Sequence, residues 1–329
     1  MEKLSLFGVL ILITIGLNST QSVADVLDAE NIILINHADC DRNCEIVDIE
    51  FNIDGTRLVS ASHDRTARVW DTDTGHEIAR FVGHDDVITS VAFDPQSKYV
   101  VTSSSDKTAR VWSIATGEEM LRLSGHEDFV YSATFSPDGK QVLTASKDGT
   151  VRVWDIDAGR EVKRINVLGG RVYDASYSPD GAQIVTGSAD GVARLWDVGS
   201  GLLTSSLEGH SKPILRVGFS PDGEQIATAS IDRIAKIWDS RTNELLTSID
   251  LVTTYLHDVS FSIDGNRVIT SASDRTARIW NVCSGSLEFV LRGHDLAVWS
   301  SMFSPDGTHV ATASYDGTVR IWRLNFSDD

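Results

Sequence analysis

The chain has 329 residues, 41% of them hydrophobic and 23% charged, which excludes wholesale disorder and leaves two ordinary domains or one large repetitive one. A formal net charge of −18, from 47 acidic and 29 basic residues, repels phosphate backbones and anionic membrane surfaces, so nucleic acid is a poor partner. We read the charge as a solubility device rather than as steering of a cationic partner.

Met1-Glu2-Lys3 is followed by a charge-free apolar run from Leu4 to Leu17, then a polar stretch with small residues at Ser22 and Ala24. The run is short for a membrane span, which needs about 20 residues. The pattern predicts a signal peptide over 1–24, cleaved after Ala24, and export to a periplasmic or secreted location. The alternative is a retained N-terminal membrane anchor on a scaffold facing the cytoplasm. Next comes a predicted strand from Asn31 to Asn36. Cys40 and Cys44 follow, close enough to pair across a short turn in an oxidising compartment, while Cys283 is left free. Three cysteines make no disulfide-stapled scaffold and no zinc spacing.

Beyond Cys44 the chain repeats. Trp70, Trp112, Trp154, Trp196, Trp238, Trp280 and Trp322 each lie 42 residues from the last, with no insertion between them. One unit shows the local logic. Phe129 to Phe135 is β-prone and runs into the turn Ser136-Pro137-Asp138-Gly139. Gln141 to Ser146, Thr150 to Trp154 and Glu161 to Val167 give three more strands, separated by Lys147-Asp148-Gly149 and Asp157-Ala158-Gly159. Four antiparallel strands cannot bury both faces of their sheet alone, whereas radial stacking of such sheets can.

Gly125-His126, Ser136-Pro137-Asp138-Gly139, Thr144-Ala145-Ser146, Arg152 and Trp154-Asp155 together resemble the repeat of the WD-repeat (WD-40) family, over about residues 40 to 322. The Trp-Asp pair is intact at Trp70-Asp71, Trp154-Asp155, Trp196-Asp197 and Trp238-Asp239, and departs at Trp112-Ser113, Trp280-Asn281 and Trp322-Arg323. The resemblance implies an all-β fold, a seven-bladed β-propeller of four-stranded blades forming one domain over 25–329. It also implies that strand 31–36 completes the last blade and closes the ring, which is expected to be monomeric.

Each unit carries a Ser or Thr, an Asp and the Trp at fixed spacing, and four add a histidine. The full sets are His84, Thr102, Asp106 and Trp112; His126, Thr144, Asp148 and Trp154; His210, Thr228, Asp232 and Trp238; His294, Thr312, Asp316 and Trp322. Ser/Thr, His and Asp can look like a hydrolase triad, but an active site occurs once and this set recurs. The resemblance implies a buried hydrogen-bond network instead. Arg42, Leu168 and Val252 stand at the histidine phase of blades 1, 4 and 6, which predicts incomplete networks there. A basic residue two before each Trp is expected to pair within its blade. No catalytic, cofactor-binding or metal motif is present, so no cofactor and no enzyme activity are expected, a propeller enzyme with a site at the channel mouth being the lesser alternative.

Residues at one phase of a strict repeat lie on one ring about the axis. Three phases, which the resemblance places at one channel mouth, hold Phe129, Tyr131, Arg171, Tyr173, Leu215, Ile231, Tyr255, His257, Trp299 and Tyr315, whereas blades 1 and 2 hold Val47, Val87, Thr89 and Ser105. Aromatics and arginine dominate interface hot spots. The expected function is a non-catalytic scaffold that binds a protein loop or peptide at this face.

Overall fold

A computed structural model describes residues 31–37, 44–252 and 254–324; the segment 1–24, Cys40 and Arg42 lie outside them. The described residues form 28 strands in seven antiparallel four-stranded sheets, without a helix. The chain is an all-β, seven-bladed propeller. In blade 1, β2 (Ile46–Phe51), β3 (Arg57–Ser62), β4 (Thr66–Asp71) and β5 (Glu77–Val82) pair in chain order. The inner strands are buried on both faces because a blade lies on each side. Outermost β5 is largely open to solvent. Each SPDG turn needs its glycine: Gly139 sits at φ +72, where an L-residue is disfavoured, and its N–H donates to Ser136 O at 2.8 Å.

The repeated tryptophan is the wedge between blades. Trp112 of blade 2 packs among Val59, Ala67 and Phe81 of blade 1, with its ring stacked on Phe81 at 5.6 Å. Burial of a side chain such as Phe81 stabilises by about 1.5–3 kcal/mol. Trp70 makes the same contact across the closure, among Ile35, Ala313 and Val319. There β1 (Asn31–Asn36) pairs antiparallel with β28 (Thr318–Arg323), placing Ile35 opposite Val319 and Asn36 opposite Thr318. With β26 (Val298–Phe303) and β27 (His309–Ser314) it forms the seventh sheet. The ring closes without an open inner edge.

In blade 3, Trp154 Nε1–H donates to Thr144 Oγ1 (2.9 Å), which lies 2.7 Å from His126 Nε2, and His126 Nδ1 lies 2.8 Å from Asp148 Oδ2. Burial pushes the His126 imidazole down, so it is neutral and donates only from Nδ1. Every donor then points one way, from indole to carboxylate. Burial works against ionisation of Asp148, but hydrogen bonds from Thr150, the Glu127 N–H and His126 hold its carboxyl well below the usual range. This stabilisation is present above the ordinary carboxylate range (about pH 4) and is lost as the pH falls below it. Blades 2, 5 and 7 repeat the wiring through His84, His210 and His294. Thr102, Thr144, Thr228 and Thr312 are 0% exposed, so no outside substrate reaches these hydroxyls.

Blade 1 corrects the expectation of an incomplete network. His37, the residue after β1, reaches Asp64 (3.1 Å) and Ser60 (2.9 Å), and Trp70 donates to Ser60 (2.8 Å). His37 and Ser60 are 23 residues apart against 18 for His84 and Thr102, so this lead-in loop is five residues longer and the histidine leaves its phase. Blades 4 and 6 do lack the histidine. Trp196 still donates to Thr186 and Trp280 to Thr270, but Asp190 and Asp274 turn to Arg194 and Arg278. Their side chains are 30% and 31% exposed, against 7% for Asp148. Asp148→Ala is therefore expected to cost about 1–3 kcal/mol by stranding buried partners, and Asp190→Ala no more than about 1 kcal/mol. Urea unfolding of both variants checks this; equal losses would contradict it.

Five of the seven basic residues two before a Trp pair with acids of their own blade, while Lys236 lies over the Trp238 ring. Arg68 bridges Asp64 and Glu77, Arg110 bridges Asp106 and Glu119, and Arg152 bridges Asp148 and Glu161.

Candidate functional site: the channel and its aromatic mouth

The first strands of all blades line the axis: β2, β6 (Ile88–Phe93), β10 (Val130–Phe135), β14 (Val172–Tyr177), β18 (Ile214–Phe219), β22 (Leu256–Phe261) and β26. At one shared phase their side chains link blade to blade. Asp48 accepts the Val91 N–H (3.1 Å), Ser90 Oγ that of Ala133 (2.9 Å), Asp174 that of Val217 (3.0 Å) and Asp258 that of Ser301 (3.0 Å). Blade 5 places Arg216 at this phase. Its guanidinium crosses the channel to Asp48, and its Nε lies 3.4 Å from Asp258. Burial pushes the Asp48 carboxyl up to about 6, against the pull of Arg216, and raises Asp174 as well. Glu50, which accepts the Phe93 N–H, is pushed up to about 8 by burial and is protonated at neutral pH. The sequence reading missed this cluster; its one signal was an arginine where the other blades carry Asp or Ser.

Above Arg216 the channel opens into a cavity of about 560 Å³. Eight of the ten expected mouth residues line it: Tyr131, Tyr173, Leu215, Ile231, Tyr255, His257, Trp299 and Tyr315. One wall is a stack crossing blades 6, 7 and 1. His257 lies on Trp299 at 4.1 Å and Trp299 on Tyr315 at 4.6 Å, with His63 tilted against Tyr315 at 5.7 Å. His63 Nδ1 is held by Glu45 at 2.5 Å. The facing wall is Tyr131 stacked on Tyr173 at 5.1 Å. Val47 and Thr89 complete the lining from blades 1 and 2, and Lys212 joins it from blade 5. Burial pushes the His257 imidazole down to about 4 and raises the Tyr315 phenol, so both are neutral at pH 7.

The two remaining expected residues lie outside the lining. Phe129 carries the Lys147 ammonium 4.3 Å above its ring, and Arg171 is exposed beside the Tyr173 hydroxyl. Lys212 and Arg216 were not among the expected residues. Cys44 is disulfide-bonded and Cys283 is free and exposed. Among the described residues no group of three His, Cys, Asp or Glu side chains is placed to hold a metal ion.

Comparison with known proteins agrees with this architecture. The family model described as the IFT122 first beta-propeller matches residues 45–197, and that described as WD domain, G-beta repeat matches 201–239, 249–281 and 285–323. Two curated relatives, the dynein assembly factor with WD repeat domains 1 of Danio rerio and of Xenopus laevis, are each 35% identical over 49 residues. That stretch covers 15% of this chain and 12% of each relative. With seven four-stranded blades and family matches along most of its described length, the chain belongs to the WD-repeat β-propeller family.

Proposed function

We propose that this chain is a non-catalytic scaffold, exported from the cytoplasm, whose aromatic mouth holds a loop or peptide of a partner protein. WD-repeat propellers are commonly protein-interaction scaffolds. The observation that carries the finer reading is the pair of stacked aromatic walls facing each other across one apolar cavity. A structural role alone would require such rings in every blade, yet Thr89 fills the phase in blade 2. Neutral rings half-open to solvent offer large contact area at low entropy cost. The export half of the reading is supported by the disulfide at Cys44, since such bonds persist in oxidising compartments.

A photoreactive phenylalanine at Tyr131, introduced in the native organism, tests both halves. The reading expects a cross-linked protein from Tyr131, none from the same probe at Asp138 on the opposite face, and a captured chain beginning at Asp25. Cross-links from Asp138 alone would overturn the binding site, and a captured chain beginning at Met1 would overturn signal cleavage.

A further inference from the structure

The mouth face is divided by charge. In blades 2, 3 and 7 the lead-in loops carry Asp85, Asp86, Glu127, Asp128 and Asp295. Residues 168–171, 211–213 and 252–255, the corresponding loops of blades 4, 5 and 6, contain no acid. Here Arg171 and Lys212 are exposed, as are Arg233 and Arg275 on the adjoining turns. Of the nearby carboxylates, Asp190 is paired with Arg194, Asp232 with His210 and Asp274 with Arg278, while Asp250 accepts the Val252 N–H at 2.7 Å and Glu208 is exposed.

These loops and turns form one continuous arc, joined by backbone hydrogen bonds. Ala189 N–H donates to Arg171 O, Ile231 N–H to Pro213 O, Leu251 N–H to Arg233 O and Ser273 N–H to Tyr255 O. Gly191 bridges blades 4 and 5, since a Cβ there would meet His210 O and Lys212 O at 2.9 Å. The arc borders the cavity through Lys212, Ile231 and Tyr255.

Two features of the arc run against folding economy. Leu168 and Val252, at the positions where other blades bury a histidine, are 77% and 67% exposed, and Tyr255 is 55% exposed. Val252 adopts φ +54, and Arg233 and Arg275 adopt φ +77 and +70 on turns where blades 3, 4 and 7 use Gly149, Gly191 and Gly317. Left-handed backbone at a β-branched or long-chain residue is strained, and strain of this kind clusters at binding sites. Arg65 and Lys107 share the turn conformation in blades 1 and 2, but the loops of that half bring acids.

We infer that this arc docks an acidic, amphipathic segment of the partner, its carboxylates over Arg171, Lys212, Arg233 and Arg275 and its apolar side chains over Leu168 and Val252 and into the cavity. The inference rests on the peptide-binding reading of the mouth and adds the chemistry of the ligand. The overall charge of −18 does not forbid it, because charges beyond about 8 Å are screened at physiological salt and the local cations dominate.

The test pans a random peptide library, displayed on phage, with the full chain at physiological salt. The enriched peptides should interleave Asp or Glu with apolar residues. A synthetic peptide from that pool should bind at least tenfold more weakly to the Arg171→Glu, Arg233→Glu, Arg275→Glu variant. An Arg233→Gly, Arg275→Gly variant should also bind more weakly while melting no lower than the parent, which separates binding from folding. Enrichment of Lys- and Arg-rich peptides, or unchanged affinity in both variants, overturns the inference. If such peptides still require Tyr131 and Trp299, the mouth reading stands and only its acidic specificity falls; if no peptide is enriched, both fall.

Discussion

Deleting residues 31–37 should leave a ring that cannot close and a chain that aggregates during refolding. The deletion removes the strand paired with β28 and strips Ile35, 2% exposed, from the cluster around Trp70. It also removes His37, leaving Asp64 and Ser60 of blade 1 without their histidine. Loss of a buried isoleucine costs about 2–5 kcal/mol, and stranding buried polar partners about 1–3 kcal/mol more. Those sums approach the whole stability of an ordinary domain, about 5–15 kcal/mol. The exposed edge of β28 then offers unpaired backbone groups to another chain. Light scattering during refolding and a thermal melt check this; a deletion variant as soluble and as stable as the parent would contradict the closure described above.

Replacing Arg216 by Met should destabilise the fold by about 3–5 kcal/mol, the cost of removing one partner from a buried ionic cluster. The guanidinium reaches Asp48 across the channel and Asp258 on the neighbouring blade, and its field also reaches Asp174. Without it these buried carboxylates are left with no counter-ion. The pH dependence follows from the direction of the shifts. Asp48 is already raised to about 6 by burial, and it rises further once Arg216 is gone. A carboxyl whose folded pKa lies above its unfolded value favours folding at low pH and loses that contribution as the pH rises. The variant should therefore lie closest to the parent near pH 5 and fall furthest behind near pH 8. Urea unfolding at both values reads the difference; a deficit that grows towards pH 5 would contradict the assignment of Arg216 as counter-ion.

The fold was legible because the 42-residue period runs from Trp70 to Trp322 without a break. A strict period also carries height along the axis, which is why three phases sufficed to gather Tyr131, Tyr173, His257, Trp299 and Tyr315 around one cavity. Where the period breaks, the reading fails. His37 escaped it because the longer lead-in loop of blade 1 moved the histidine away from the phase of Arg42. Arg216 escaped for another reason: its partners belong to other blades, Asp48 across the channel and Asp258 on the next blade, and contact between blades leaves no trace in the spacing of a single repeat. Phe129 and Arg171 share the mouth phases, yet Lys147 covers one and solvent surrounds the other, details set by neighbouring side chains.

On the function proposed above, the aromatic walls bind a partner and do not merely plug the channel. Tyr131 and Trp299 are partly exposed and stand on opposite walls, so each can be cut back without emptying a closed core. The decisive measurement is the affinity of the Tyr131→Ala, Trp299→Ala double variant for the captured partner, beside its melting temperature. We expect a near-parental melt and a loss of about 2 kcal/mol or more per residue, roughly 30-fold each; full affinity in a folded double variant would show that the mouth is not the binding site.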